Sequence, residues 1–165
     1  LRFTDKTLYD QIIYFELELL AKSRDFQSLA NKIRQDEIVF PGHMKSDEVY
    51  YNTLISKSAG DSSAIRKQYR WLATANTYNE EAIIASSEFF KSEKDKFHSY
   101  SILADALHNN PFSVKILKAY SLEAARLGFS EYANDALERL RPLISAQALT
   151  KFLSENQNTF AQVLL

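Results

Sequence analysis

Apolar residues recur along this chain every three or four positions, the spacing that places them on one side of a helix. The first long segment shows two neighbouring stripes of this kind. One stripe contains Leu8, Ile12, Phe15 and Leu19, and the other contains Ile13, Leu17 and Leu20. Two adjoining stripes predict a helix that is buried on more than one side.

The same spacing returns in the later segments, which are separated by short breaks. Residues that favour helix N-termini follow several breaks, and acidic residues come next, where they oppose the helix dipole. We expect such caps at Ser46, Asp61, Asn79 and Ser130. The pattern predicts an all-α chain of about eight helices, joined in pairs by short turns, with a last helix near residues 146–157.

The few glycines indicate a period. Lys94 lies midway between Gly60 and Gly128, at a spacing of 34 in each direction. Each of these positions falls between the two helices of a predicted pair. Because glycine readily takes a positive φ, it lets two helices fold back antiparallel. The chain therefore predicts a hairpin repeat with a period of 34, and a spacing of 35 to the first pair.

These features resemble the tetratricopeptide repeat (TPR) family, whose signature is W-x2-L-G-x2-Y in the first helix and A-x3-F in the second. The best copy spans residues 114–145, and earlier copies span residues 11–45, 46–79 and 80–113. The pattern positions of the best copy hold Leu117, Tyr120, Ser121, Ala124, Gly128, Ala133 and Leu137. The signature Trp is missing from every copy, but Leu or Ile can fill that packing position.

The resemblance implies a single domain over residues 1–165, built as an α-solenoid. It would consist of about four antiparallel helix pairs in a TPR-like right-handed superhelix, closed by a C-terminal capping helix. In that cap we expect three residues toward the core, Ala148, Phe152 and Phe160, and three toward water, Lys151, Glu155 and Gln157. The alternative is an irregular helical bundle whose helices happen to have similar lengths.

In the family, one face of the first helix of each pair lines the concave surface, so the resemblance implies a partner-binding site there. Its three columns are Phe15, Tyr50, Ile84 and Lys118; Leu19, Leu54, Glu88 and Leu122; and Lys22, Lys57, Lys91 and Ala125. Such a surface suits an amphipathic helix or extended segment with acidic side chains against the lysines. The alternative is that Phe15, Tyr50 and Leu54 pack between repeats or under the last helix, with the lysines merely solvated.

The charge balance argues against a nucleic-acid partner. The chain has 20 Lys plus Arg and 21 Asp plus Glu, for a net charge of -1, whereas phosphate binding normally needs a basic excess. The segment 65–73 does combine basic and aromatic residues, as base-stacking patches do. We expect its Ile65, Tyr69 and Leu72 in the core, Trp71 at the border, and Arg66, Lys67 and Arg70 in water.

Little in the chain suggests catalysis. It has no cysteine, and its three histidines form no metal-binding motif. Three isolated glycines cannot build a phosphate or dinucleotide loop. We expect no enzymatic activity, no cofactor and no metal. We also expect no membrane insertion, since Glu16 and Glu18 interrupt the most apolar run.

The favoured function is therefore a non-catalytic protein–protein interaction scaffold that binds a peptide or protein segment. The alternative is a structural spacer or self-association segment of a larger multi-repeat protein, packing through the ends of its solenoid. The apolar last residues and the missing initiating Met favour a piece of a longer protein. The favoured compartment is the cytoplasm, and the alternative is a periplasmic or other extracytoplasmic location.

Overall fold

The structure is a computed structural model that describes residues 2–35, 38–75 and 77–161, with the backbone alone for residues 2–8. These residues form helices and no strand, which confirms the all-α prediction. The α-helices are α1 Arg2–Ser23, α2 Phe26–Gln35, α3 Lys45–Ser58, α4 Ser62–Thr74, α5 Glu80–Ser92, α6 Lys96–Asn109, α7 Val114–Arg126, α8 Ser130–Leu140, α9 Ala146–Glu155 and α10 Gln157–Phe160. A short 3-10 helix, Gly42–Met44, precedes α3.

Each of the four helix pairs turns at one residue in the left-handed region of φ. These residues are Arg24 (φ 61°), Gly60 (φ 73°), Lys94 (φ 65°) and Gly128 (φ 78°). The amide of the following residue donates to a carbonyl five positions earlier, which closes the end of the first helix. The four bonds are Asp25 N to Leu20 O (3.0 Å), Asp61 N to Ser56 O (3.0 Å), Asp95 N to Phe90 O (2.9 Å) and Phe129 N to Ala124 O (2.9 Å).

In three of these turns the same residue also begins the second helix. The side chains of Asp25, Asp61 and Asp95 each accept a hydrogen bond from the amide three residues later, at 3.0, 3.0 and 3.1 Å. Phe129 occupies this place in the fourth turn and forms no such bond. The predicted glycine turns are thus confirmed, and the last three turns follow the predicted period of 34. The first spacing, from Arg24 to Gly60, is 36 instead of the expected 35.

The predicted caps are half right. Asp61 and Asn79 cap their helices, and Asn79 accepts from the amide of Ala82. The caps expected at Ser46 and Ser130 are wrong, because both residues lie inside the first turn of their helices. The residues at those N-termini are Met44 and Phe129, neither of which forms a side-chain cap bond.

The chain divides into two compact units, Leu1–Tyr69 and Arg70–Leu165, and the boundary falls within α4. In the first unit α1, α2 and α3 surround a small core. Ile13 and Leu17 of α1 are buried there with Leu29 and Tyr51. Tyr14, Tyr50 and Leu54 pack against this core from positions that stay partly exposed.

The second unit contains a larger continuous core formed by α5–α8 and covered by the C-terminal helices. Phe152 of α9 and Phe160 of α10 are buried in it, and their ring centroids lie 5.7 Å apart. Ala148 is half-buried, whereas Lys151, Glu155 and Gln157 are not part of this core. Lys151, Glu155 and Gln157 are all exposed. The predicted orientation of the last helix is therefore confirmed for α9.

Two polar contacts lie inside the second unit. Ser87 Oγ and Ser99 Oγ are 2.8 Å apart where α5 packs on α6. The hydroxyls of Tyr100 and Tyr120 are also 2.8 Å apart, with their rings stacked. Burial raises the pKa of Tyr120 well above its usual value, and the hydrogen bond with Tyr100 raises it further. Both contacts satisfy polar groups that would otherwise destabilise the core.

Candidate functional site

The first helices of two successive pairs, α5 and α7, are joined by ion pairs in the second unit. Lys115 of α7 pairs with Glu81 of α5, which is one full repeat earlier in the chain. Farther along the two helices, Lys91 Nζ lies 3.1 Å from Glu123 Oε1. These contacts place the predicted column residues of α5 and α7 next to one another.

Around Glu123 the structure assembles a charged cluster, which we define as Glu88, Lys91, Glu123 and Arg126. The Glu123 side chain is only 4% exposed, and its Oε1 is contacted by both Lys91 and Arg126. Its other oxygen, Oε2, is buried and forms no hydrogen bond among the described residues. Glu88 is largely exposed and lies 3.2 Å from Lys91. The cluster thus anchors Lys91 to the protein rather than presenting it to solvent.

Sequence reasoning did not select Glu123 and Arg126. Two signals were available, because Glu88 with Lys91 and Glu123 with Arg126 are both opposite charges three residues apart on successive first helices. Such pairs usually indicate a solvated helix face. Only the side-by-side packing of α5 and α7 shows that one of the carboxylates is buried.

The other column residues of the second unit are only partly accessible. Ile84, Lys118 and Leu122 are half-buried, and Leu122 packs against the core. The ammonium of Lys118 lies over the ring of Phe152, 5.3 Å from its centroid. Ala125 is buried. The C-terminal helix α9 therefore approaches the α7 part of the predicted surface.

In the first unit the column residues do not form one surface. Tyr50 and Leu54 pack against the core, as the packing alternative proposed. Phe15 is 59% exposed and Leu19 is 49% exposed, and neither joins that core. Lys22 is exposed and lies 2.5 Å from Glu18, while Lys57 is exposed.

The longer spacing between the first two turns accounts for this separation. When the pairs are aligned on Arg24 and Gly60, the α1 residues that match Tyr50, Leu54 and Lys57 are Tyr14, Glu18 and Ala21. Of these, Tyr14 is half-buried, and its ring centroid lies 5.8 Å from that of Phe40. Phe15, Leu19 and Lys22 follow one position later and so point to a different side of α1.

The basic and aromatic segment of α4 has the burial that was expected. Tyr69 and Leu72 are buried and Ile65 is half-buried. Trp71 stays partly exposed, and Arg66, Lys67 and Arg70 face solvent. Tyr69, one of the two aromatic residues of the segment, is thus part of the interior and is not accessible for base stacking.

The second unit also contains an open cavity of about 350 Å³ between α6 and α8. Its lining includes Leu107, His108, Tyr120, Asp135 and Arg139. The guanidinium of Arg139 is directed to the protein itself, since it donates to the carbonyl of Pro111 at 2.7 Å and pairs with Asp135 at 3.6 Å. The charged side chains of Arg139 and Asp135 at the cavity therefore already have partners within the protein.

Across the described residues, no group of three or more His, Cys, Asp or Glu side chains is arranged to hold a metal ion. Within the same residues, no helix is both long and apolar enough to cross a membrane. Comparisons of the chain with protein-family models, with curated proteins and with solved structures found no match.

Proposed function

We propose that the chain is a non-catalytic protein-binding scaffold of TPR-like helix pairs arranged as a solenoid. The observation that carries the proposal is the double contact between α5 and α7, Glu81 with Lys115 and Lys91 with Glu123. It holds equivalent helices of successive pairs side by side, which is the arrangement that lets each repeat pack only on its neighbours. The regular recurrence of the left-handed turns at Gly60, Lys94 and Gly128 supports the same architecture.

The recognition surface we propose lies on α5 and α7 and centres on Ile84, Glu88 and Lys118. Ile84 and Lys118 occupy the same repeat position and are both half-buried. A partner that places an apolar side chain on Ile84 would remove it from water. Lys91 already carries ion pairs, so an acidic partner would have to displace Glu88 or Glu123. We therefore propose a partner segment held by apolar contacts, with acidic groups in a minor role.

The test is a selection of displayed natural protein segments for binding to the chain. The variant Ile84→Glu with Lys118→Glu should lose the selected segments. The matched control is Phe97→Glu with Lys96→Glu, which changes one apolar residue and one lysine on the exposed side of α6. Circular dichroism establishes that both variants fold.

Segments that bind the first variant as well as the native chain would contradict this surface. Recovery of no segment, with the native chain folded, would contradict the scaffold itself. The alternative function, a structural segment that packs against other helix pairs, is favoured by a different observation. Exposed apolar residues lie along one side of α1.

A further inference from the structure

The cavity of about 350 Å³ in the second unit lies between α6 and α8, the second helices of two successive pairs. These helices contact each other near both ends. Near their beginnings the ring centroids of Tyr100 and Phe129 lie 5.2 Å apart, and near their ends Arg139 donates to the carbonyl of Pro111 at 2.7 Å. The two helices therefore run in the same direction and leave a space between these contacts.

The inner part of the cavity offers apolar surface. The helix α7 packs against both α6 and α8 and contributes the buried ring of Tyr120. Ala104, Leu107 and Pro111 line the side of α6. The Tyr120 hydroxyl already has a partner, because it lies 2.8 Å from the Tyr100 hydroxyl. A cavity of about 150 Å³ can hold benzene, so this one has room for a phenol or an indole.

Polar side chains line the mouth, where His108 and Asp135 are exposed and Arg139 is half-buried. Asp135 pairs with Arg139 at 3.6 Å, which is too long for a hydrogen bond. No other donor among the described residues bonds to the Asp135 carboxylate, so it can accept from a ligand. Burial raises the pKa of Tyr120 most, and the negative charge of Asp135 adds to it, so the field of this carboxylate reaches the inner wall.

The two charges at the mouth disfavour a charged ligand. An anion would meet Asp135 and a cation would meet Arg139, and like charges in contact oppose association. We propose that the cavity binds a neutral aromatic ring that donates one N–H or O–H to Asp135, as the Trp or Tyr side chain of a partner protein does. This second site lies on the second helices, so it goes beyond the proposed surface on α5 and α7 and does not rest on it.

Arg139 favours the side chain of a protein over a free ring compound. A guanidinium has five N–H donors, and its bond to Pro111 leaves others for a ligand. The same bond holds the guanidinium in place, which lowers the entropy lost on binding. A Trp or Tyr residue brings main-chain carbonyls that can accept from Arg139, whereas free indole has no such acceptor. Trp and Tyr also dominate the binding energy of many protein interfaces.

Titration of the whole chain with indole and with 1-methylindole, followed by NMR amide shifts, tests the donor. The two probes share a ring system, but only indole has an N–H. Indole should bind about tenfold more tightly, since a hydrogen bond to a charged group contributes at least that factor. Asp135→Ala should abolish the preference, whereas Asp105→Ala, at an exposed position of α6 outside the cavity, should keep it. Equal binding of both probes by the native chain, or an unchanged preference in Asp135→Ala, would overturn the proposal.

The place of binding has its own test. Ala104→Leu fills part of the cavity and should weaken indole binding several-fold, whereas Ala146→Leu, at an exposed position of α9, should not. Circular dichroism establishes that both variants fold. Indole binding that Ala104→Leu leaves unchanged would place the ligand elsewhere and overturn the cavity as its site.

The source of the ring is distinguished with N-acetyltryptophanamide, which carries main-chain carbonyls on both sides of its indole side chain. It should bind the native chain several-fold more tightly than indole. Equal or weaker binding would overturn the assignment to a partner's side chain and indicate a small ring compound instead. Because none of these readouts involves Ile84 or Lys118, their failure is distinguishable from failure of the proposed scaffold.

Discussion

The two units of this chain use the same hairpin turn but bury their helices differently. In the second unit, α7 is enclosed on several sides, and one core extends from Ile83 to Phe160. In the first unit the core is small, and α1 leaves an apolar stripe exposed. The turn is set by a few local residues and is therefore independent of its surroundings. Burial depends instead on which other helices pack against each helix.

Two lysines of the same predicted column show this difference directly. Lys91 contacts a buried carboxylate on the neighbouring first helix, whereas Lys22 contacts an exposed carboxylate on its own helix. A stacked neighbour turns a surface charge into part of an interhelical contact. Substitutions in one unit test this difference when their effects are compared with those of substitutions in the other unit or at an equivalent repeat position.

The largest effect should come from removing the last helices. Deletion of residues 146–165 exposes the surfaces that Phe152 and Phe160 cover. Losing even one buried phenylalanine contact typically costs about 3–5 kcal/mol, so the free energy of unfolding of the second unit should fall by at least that amount. Urea unfolding followed by circular dichroism measures the loss. Lys151→Ala, at an exposed position of α9, should have little effect, and an unchanged midpoint for the truncated chain would contradict the capping role.

Lys91→Ala should have a moderate effect. It leaves the buried Glu123 carboxylate with Arg126 as its cationic partner, and an under-satisfied buried charge costs about 1–3 kcal/mol. Lys22→Ala removes an exposed pair and should cost about 0–1 kcal/mol. Equal losses for the two variants in urea unfolding would show that the burial of Glu123 does not strengthen its ion pair.

Somewhat smaller effects are expected at the turns. Gly128→Val places a β-branched residue at φ 78° and should destabilise by about 1–2 kcal/mol. An added Cβ meets no atom within 4 Å there, so the cost comes from the backbone. Lys94→Gly relieves the same conformation at the equivalent turn and should stabilise by about 0.5–1 kcal/mol. Thermal melts check both, with Gly42→Ala as the control outside the left-handed region.

A last effect, expected at alkaline pH, should come from the hydroxyl groups of buried tyrosines. Burial raises the pKa of Tyr51 in the first unit and of Tyr120 in the second. Since the folded pKa exceeds the unfolded value of about 10, the neutral phenols stabilise the fold fully below about pH 10. That stability is lost as pH rises toward the folded pKa.

Tyr120→Phe should therefore weaken the loss of stability above about pH 10, while Tyr132→Phe, at an exposed position, should not. Urea unfolding at a series of alkaline pH values compares the two variants. A steeper alkaline loss in Tyr120→Phe than in the native chain would contradict the sign of the effect.

Much of the local fold could be predicted from the sequence. Helical spacing identified the paired helices, and the glycines at positions 60 and 128 identified two turns because that conformation favours glycine. The turns at Arg24 and Lys94 carry no such signal in their residue types. Lys94 could be predicted only from its distance to the two glycines. Arg24 has no such marker, and the predicted spacing of 35 between the first two turns is one residue too short.

The candidate site was harder to predict, because it depends on packing between helices. An error of one position in the alignment of α1 selects Phe15 in place of Tyr14. Tyr14 is half-buried, whereas Phe15 is exposed on a different side of the helix. Glu123 is buried and contacts Lys91 of α5, the first helix of the preceding pair. Helical periodicity describes one helix at a time, so it gives no information on which neighbour meets which face.

The shared turn also bears on how fast the chain can fold. Each closing hydrogen bond joins an amide to a carbonyl five residues away, as from Asp25 to Leu20, so little chain entropy is lost when the loop closes. Chains rich in such local contacts have a low contact order and fold quickly. We expect the hairpins to form early in refolding and the contacts between them, such as Lys91 with Glu123, to form late. In stopped-flow experiments Gly128→Val should then slow refolding, whereas Lys91→Ala should mainly accelerate unfolding.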